Sequence, residues 1–325
     1  MSAEKYLTVK NLTVEYVTSD ETVHAVNNVS FGIDKGKTLG LVGETGAGKT
    51  SIARSILRIL PKPPAEVRSG EIFLDGKDLM KLSEKEMYAV RGSTITMIFQ
   101  DPMTSLNPTM KVGTQIEEVI LHHENLSKHE ARKRAEEMLE MVGIPRERYD
   151  EYPHQFSGGM KQRVVIAIAL ACNPDVLLAD EPTTALDVTI QAQVLEMMRE
   201  LHRQKNMTMI LITHDLGVVA EMCDDVAIVY AGEIVEMGTL RDIFKSPSHP
   251  YTIGLFDALP DLNSDKDRLT PIEGMPLDPT LEVVGCKFRE RCPYATEACG
   301  KAEIPAKEIT PGHFCKCLAP REERR

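Results

Sequence analysis

The chain has 325 residues, and 38 Lys and Arg against 49 Asp and Glu give it a formal net charge of −11 at pH 7. A composition that is 42% hydrophobic and 27% charged is that of a folded soluble chain, which excludes the collagen-like, coiled-coil and disordered classes. The acidic balance also disfavours a broad basic face that would grip nucleic acid.

The opening sequence, MSAEKYLTVK, has no apolar stretch of signal-peptide length, and the longest apolar run, residues 164–172, is far too short to span a bilayer. A cytoplasmic chain is expected. From residue 6 to about 33 apolar and polar positions alternate (Leu7, Val9, Leu12, Val14, Tyr16, then Val26, Val29, Phe31), which predicts half-buried antiparallel strands. Residues 38–42, Thr38-Leu39-Gly40-Leu41-Val42, are apolar on both faces and suit the middle of a covered sheet. Residues 43–50 break that run, and residues 51–60 predict a helix that ends before Pro61.

Strand signals fade between about 102 and 159, where Ile116, Val119, Ile120, Ala135, Met138, Leu139 and Val142 carry helical spacing; a helical insertion is expected there. Next come a predicted helix over 160–172, a strand over 176–179, a helix over 188–204 and a strand over 208–213, the alternation of a parallel sheet covered by helices. Residues 226–230 and 233–236, split by Ala231-Gly232, predict a closing hairpin. From residue 247 Pro, Gly and Cys dominate, so an α/β domain over 1–246 is expected to carry a small Cys-rich extension over 247–325.

Gly43-Glu44-Thr45-Gly46-Ala47-Gly48-Lys49-Thr50 satisfies G-x-x-x-x-G-K-[ST] between a predicted strand and a predicted helix. Its glycines let backbone N–H groups wrap a phosphate, Lys49 reaches the β and γ oxygens, and the Thr50 hydroxyl suits Mg²⁺. Asp180 and Glu181 end the apolar run 176–179, at the strand edge where open α/β sheets bind ligands. Asp180 fits the Mg²⁺ shell, and Glu181 fits a group that polarises the attacking water. Ser157-Gly158-Gly159 opens a predicted helix as a second anion nest, Thr184 to Asp187 follow the carboxylates, and His214 ends an apolar strand where an imidazole can meet a γ-phosphate.

In this order the motifs resemble an ABC-type ATPase subunit. The resemblance implies that Tyr16 stacks on adenine, that Gly43, Glu44, Thr45, Gly46, Ala47, Gly48, Lys49, Thr50 and Ser51 cradle the triphosphate, and that Gln100 in Ile98-Phe99-Gln100-Asp101 joins Thr50 and Asp180 at Mg²⁺. It makes Glu181 the catalytic carboxylate, His214 the switch histidine and residues 184–187 the D-loop. Residues 156–160 match the family's signature, although Phe156 and Met160 depart from the commoner Leu and Gln. A family member with one phosphate loop and one signature works as a pair, the signature of one subunit covering the nucleotide of the other, so a sister ATPase is an expected partner.

Of the seven cysteines, Cys172 and Cys223 lie in apolar patterns, while Cys286, Cys292, Cys299, Cys315 and Cys317 crowd the end of the chain without the paired C-x2-C knuckles of zinc ribbons. Four thiolates at such spacings suit either Zn²⁺ or an iron–sulfur cluster. The runs Gly285-Cys286-Lys287-Phe288 and Arg291-Cys292-Pro293-Tyr294-Ala295 resemble the C-terminal extension of oligopeptide/dipeptide importer ATPases, as does Pro247-Ser248-His249-Pro250-Tyr251-Thr252. That resemblance implies a [4Fe–4S] cluster on Cys286, Cys292, Cys299 and Cys317, the last being the cysteine four residues after His313, with Cys315 as the alternate fourth ligand. It further implies a peripheral subunit on the cytoplasmic face of the membrane, bound to two permeases and served by an extracellular peptide-binding protein, with nickel or oligosaccharide as other possible solutes. The rival reading is an ATPase of DNA repair or chromosome maintenance, but only 131 positions separate Lys49 from Asp180 (180 − 49), too few for the long coiled coils of that class.

Overall fold

The computed structural model describes residues 5–184, 186–258 and 271–319. The chain divides into two compact units, one made of residues up to 7, 33–38 and 73–213, the other of residues 8–32, 39–72 and 214 onward.

In the first unit the strands Ile95–Ile98, Val176–Asp180 and Thr208–Thr213 lie parallel in that order, with Ile98 opposite Ala179 and Asp180 opposite Ile212. The latter two strands are buried at every residue, as an unbroken apolar run requires when helices cover both faces. Helices Val112–His123, Lys128–Met141, Gly158–Leu170 and Val188–Lys205 belong to the same unit. The starts of the last three are chemically marked: Ser127 and Glu130 form a capping box, Ser157 accepts the Met160 N–H, and Asp187 accepts the Ile190 N–H. The expected insertion over 102–159 is occupied by a short helix Pro102–Ser105, two of the longer helices, and the 3₁₀ turns Arg146–Asp150 and Pro153–Gln155.

In the second unit the antiparallel strands Thr22–Ile33, Leu7–Val17 and Ala65–Leu74 are neighbours in that order. The third is absent from the sequence reading, because only three of its ten residues, Ala65, Ile72 and Leu74, are fully buried and the apolar pattern is correspondingly thin. Strand Thr38–Val42 runs parallel to Asp225–Tyr230, with Val42 opposite Ile228. Asp225–Tyr230 then pairs antiparallel with Glu233–Thr239 through Ala231 (φ 46°) and Gly232 (φ 80°), two successive left-handed residues that a tight hairpin turn demands.

The expected closing hairpin does not close the sheet. Strand His313–Cys315 pairs onto Glu233–Thr239, with Cys315 opposite Glu236, and Lys307–Thr310 pairs beyond it. Residues 307–315 are therefore hydrogen-bonded into the sheet of this unit. The reason lies at Glu236, which is 1% exposed: its carboxylate accepts the N–H groups of Ser248 and His249, each at 2.8 Å, and stands 2.7 Å from His313 Nε2. A buried carboxylate is tolerated only with such a set of donors, so the folding of residues 233–249 and of the final hairpin is coupled. His249 in turn accepts the Tyr251 N–H and starts the helix Pro250–Asp257.

Gly113 in helix Val112–His123 faces the buried Tyr149 ring, and a Cβ there would lie 2.0 Å from Tyr149 Cδ2. Gly113→Ala is expected to destabilise the first unit by about 1–3 kcal/mol despite the better helix propensity of alanine, read as a lower denaturation midpoint.

Candidate active site

The phosphate loop belongs to the second unit. Because Val42 is in register with Ile228, residue 43 meets Val229, and a Cβ at Gly43 would sit 2.0 Å from the Val229 carbonyl oxygen. At the other end Gly48 (φ 97°) adopts a left-handed conformation, and a Cβ on it would lie 2.2 Å from the Ala25 carbonyl oxygen. Both positions therefore require glycine. Between them Thr45 and Gly46 are exposed, so the loop crest is open to a ligand. Lys49 is 5% exposed, and its ammonium donates to the carbonyls of Gly43 at 2.7 Å and Glu44 at 2.8 Å, which folds the loop around the positive charge. Helix Lys49–Ile56 begins directly after the loop and turns its N-terminal N–H groups towards it.

The Tyr16 hydroxyl lies 2.9 Å from Ser51 Oγ, which fixes the phenol beside the start of that helix. The Gly232 N–H donates to the Ala47 carbonyl at 3.0 Å, tying the loop to the hairpin turn. His214 is exposed just beyond strand Thr208–Thr213, and Asp215 next to it caps the helix Leu216–Met222 through the N–H groups of Gly217 and Val218.

The carboxylates belong to the first unit. Asp180 is 2% exposed at the end of its strand. Glu181 follows at φ 47°, a left-handed conformation that costs a non-glycine residue about 1–2 kcal/mol. Three bonds hold it there: its N–H donates to the Ile212 carbonyl at 2.9 Å, while Gln100 Nε2 and Thr184 Oγ1 each donate to Glu181 Oε2 at 2.9 Å. The parallel register explains the meeting, since Gln100 lies two residues past Ile98 and Glu181 two past its partner Ala179. Gln100 and Glu181 thus come together. The part of Thr184 as a clamp on the carboxylate was not read from the sequence, where it counted only as the start of the D-loop. Ala185 of that loop lies outside the described residues.

Ser157 and Gly158 are exposed, and a Cβ at Gly158 would meet nothing within 4 Å. Gly159, by contrast, is buried, and a Cβ there would lie 2.3 Å from Ile190 Cγ2, so this glycine admits the neighbouring helix. Phe156 is buried beneath the Arg148 guanidinium at 4.3 Å, which accounts for an aromatic residue at this place.

Among the described residues none of the seven cysteines forms a disulfide, and no group of three or more His, Cys, Asp or Glu side chains stands close enough to hold a metal ion. Among those residues the cysteines therefore do not gather around a single ion such as Zn²⁺. The local bonding gives the reason: the Cys299 thiol is 3.6 Å from Thr296 Oγ1, and Cys315 is buried in a paired strand. Burial pushes the Cys286 thiol up to about 11, and the neighbouring Cys292, Cys317 and Cys299 push the same way.

Comparison with known proteins decides the family. A family model described as ABC transporter matches residues 26–184, and one described as oligopeptide/dipeptide transporter, C-terminal region, matches residues 235–299. The chain is 52% identical over 315 residues to the oligopeptide transport ATP-binding protein OppD of Bacillus subtilis, covering 96% of this chain and 88% of that protein. With the dipeptide transport ATP-binding protein DppD of Bacillus subtilis the identity is 53% over 317 residues, covering 97% and 94%.

The chain belongs to the ATP-binding subunits of the oligopeptide/dipeptide ABC transporter family. OppD of Escherichia coli is 47% identical over 99% of this chain and 95% of its own length. A solved dimeric ATP-binding cassette in a post-hydrolysis state, bound to ADP and Pi, superposes with a TM-score of 0.65 at 29% identity, over 72% of this chain and 99% of that one. The fold is that of an ABC ATPase cassette, and the chain is an ATPase. ATP and Mg²⁺ are the substrate and metal that this family implies, and the open crest of the phosphate loop with Lys49 at its centre fits them.

Glu181→Gln is expected to keep ATP binding within about threefold while lowering turnover roughly 10²–10⁴-fold, as measured by phosphate release beside equilibrium binding. Unchanged hydrolysis would remove Glu181 from the chemistry.

Proposed function

We propose that this chain is the ATP-hydrolysing subunit that powers import of dipeptides or oligopeptides through a membrane ABC transporter, seated on the cytoplasmic face of the membrane. The observation that carries this reading is similarity near 50% to peptide-transport ATP-binding proteins along almost the whole chain. A family match to residues 235–299 joins the cassette match. Among the described residues no helix is long and apolar enough to cross a membrane, so the bilayer-spanning path is assigned to permease partners.

Within the reaction Lys49 counters charge on the γ-phosphate, Gln100 and Thr184 hold Glu181 where it orients the attacking water, and His214 steadies the γ-phosphate. Thr50 and Asp180 are assigned to Mg²⁺, which neutralises phosphate charge when bound. Tyr16 is assigned to the adenine, with its ring held by the bond to Ser51.

Ser157 and Gly158 are assigned to the nucleotide of a sister ATPase, which closes over this chain when ATP is bound. Their exposure, and the empty space around Gly158 within its own chain, support that assignment. Gly158→Asp is accordingly expected to leave folding unchanged and ATP binding to the isolated chain intact. It should abolish peptide-stimulated hydrolysis in vesicles holding this chain, its sister ATPase, two permeases and a peptide-binding protein. Full stimulated activity of that variant would overturn the shared-site reading, and a wild-type complex that ignores peptides but responds to nickel or an oligosaccharide would reassign the solute.

For the cysteines, we assign Cys286, Cys292, Cys299 and Cys317 to a [4Fe–4S] cluster, whose own sulfides bridge a wider span than a single ion does. What supports this set is that Cys292, Cys317 and Cys299 lie close enough to Cys286 for their charges to raise its thiol. Anaerobically purified chain is expected to contain about four iron atoms and to lose them in Cys317→Ser but not in Cys315→Ser. Iron-free chain would overturn the assignment.

A further inference from the structure

Glu44, the first variable residue of the phosphate loop, is held from two sides by the chain beyond residue 246. The Arg291 guanidinium forms a fork with its carboxylate, Nη1 to Oε2 at 2.9 Å and Nη2 to Oε1 at 3.1 Å, and the Arg291 side chain is only 6% exposed. The Glu44 N–H donates to the Tyr251 hydroxyl at 3.0 Å. Tyr251 is fully buried, and its ring packs against Tyr230 and Phe288. Arg291 is itself pinned, its Nε donating to the Glu273 carbonyl at 3.1 Å. A third connection runs through Lys287, which donates to the Ala231 carbonyl at 3.0 Å, beside the Gly232 N–H that holds Ala47.

These contacts are not needed to close the loop, because Lys49 and the close approaches at Gly43 and Gly48 already do that. They act on charge and position instead. A triphosphate brings several negative charges to a loop whose second residue is a carboxylate, and an unpaired Glu44 would repel it. With the guanidinium forked onto it, the carboxylate is neutralised and turned away, and its N–H is fixed by a phenol that cannot drift.

We propose that Arg291 and Tyr251 are positioning residues for ATP: the C-terminal region sets the nucleotide affinity of the phosphate loop by clasping Glu44. The proposal rests on the nucleotide site assigned above and goes beyond it, since it gives the region after residue 246 a part in the ATPase itself. It requires no metal at the cysteines.

A non-hydrolysable ATP analogue with Mg²⁺ is titrated calorimetrically into the full chain. Arg291→Ala is expected to weaken binding about tenfold, less at high salt, and the double variant Arg291→Ala with Glu44→Gln is expected to recover most of the loss. Arg291→Lys, which keeps the charge without the fork, should fall between wild type and Arg291→Ala, and it stands in if the alanine variant does not fold. A purely structural arginine predicts no recovery on removing the Glu44 charge. Wild-type affinity in Arg291→Ala, or equal weakness in single and double variants, would overturn the proposal. Wild-type chain that does not bind the analogue would sink the nucleotide site itself.

Discussion

The structure of the site depends on one constraint, the wrapping of a backbone loop around a buried ammonium. Lys49 bonds to the carbonyls of Gly43 and Glu44, while Val229 and Ala25 press so closely on the two ends of the loop that only glycine fits there. The wrap turns carbonyls inward to the lysine and leaves the crest at Thr45 and Gly46 outside, where N–H groups serve an anion. Everything that supports the loop in its unit, the parallel strand Asp225–Tyr230, the hairpin turn at 231–232 and the region after 246, converges on keeping that geometry.

Glu181, the carboxylate assigned to the attacking water, depends on a different device, strand register. Parallel strands bring their C-terminal ends to one edge, so the residues just past Ile98 and Ala179 meet although 81 positions separate Gln100 from Glu181. Glu181 is held in an unfavourable backbone conformation by three hydrogen bonds, each contributing about 1 kcal/mol, which together exceed the strain. A carboxylate so fixed cannot swing away from the edge of the sheet, and this is what orienting a water molecule requires.

The region after residue 246 is tied to the cassette by buried polar chemistry. Glu236 gathers Ser248, His249 and His313, and the bonded chain then leads through Tyr251 to Glu44. Removing one partner from such a node leaves a buried charge poorly satisfied, so the node acts as a registration device for the final hairpin. The region after residue 246 is thereby fastened where the phosphate loop begins.

The sequence by itself determined the local parts. Apolar runs at 38–42, 176–179 and 208–213 gave buried parallel strands, the G-x-x-x-x-G-K-T spacing gave the loop, and Ala231-Gly232 gave the turn, because each rests on short-range sterics and periodicity. The resemblance carried by the same motifs supplied the family. Only the tertiary structure decided which distant side chains meet, Gln100 on Glu181 and Arg291 on Glu44, and that Cys315 lies in a paired strand. Arg291 stood in a motif read for its cysteine, and nothing in its neighbours announces a partner 247 positions away. Register and burial settle such pairings, and both are properties of the assembled sheet, which no window of sequence contains.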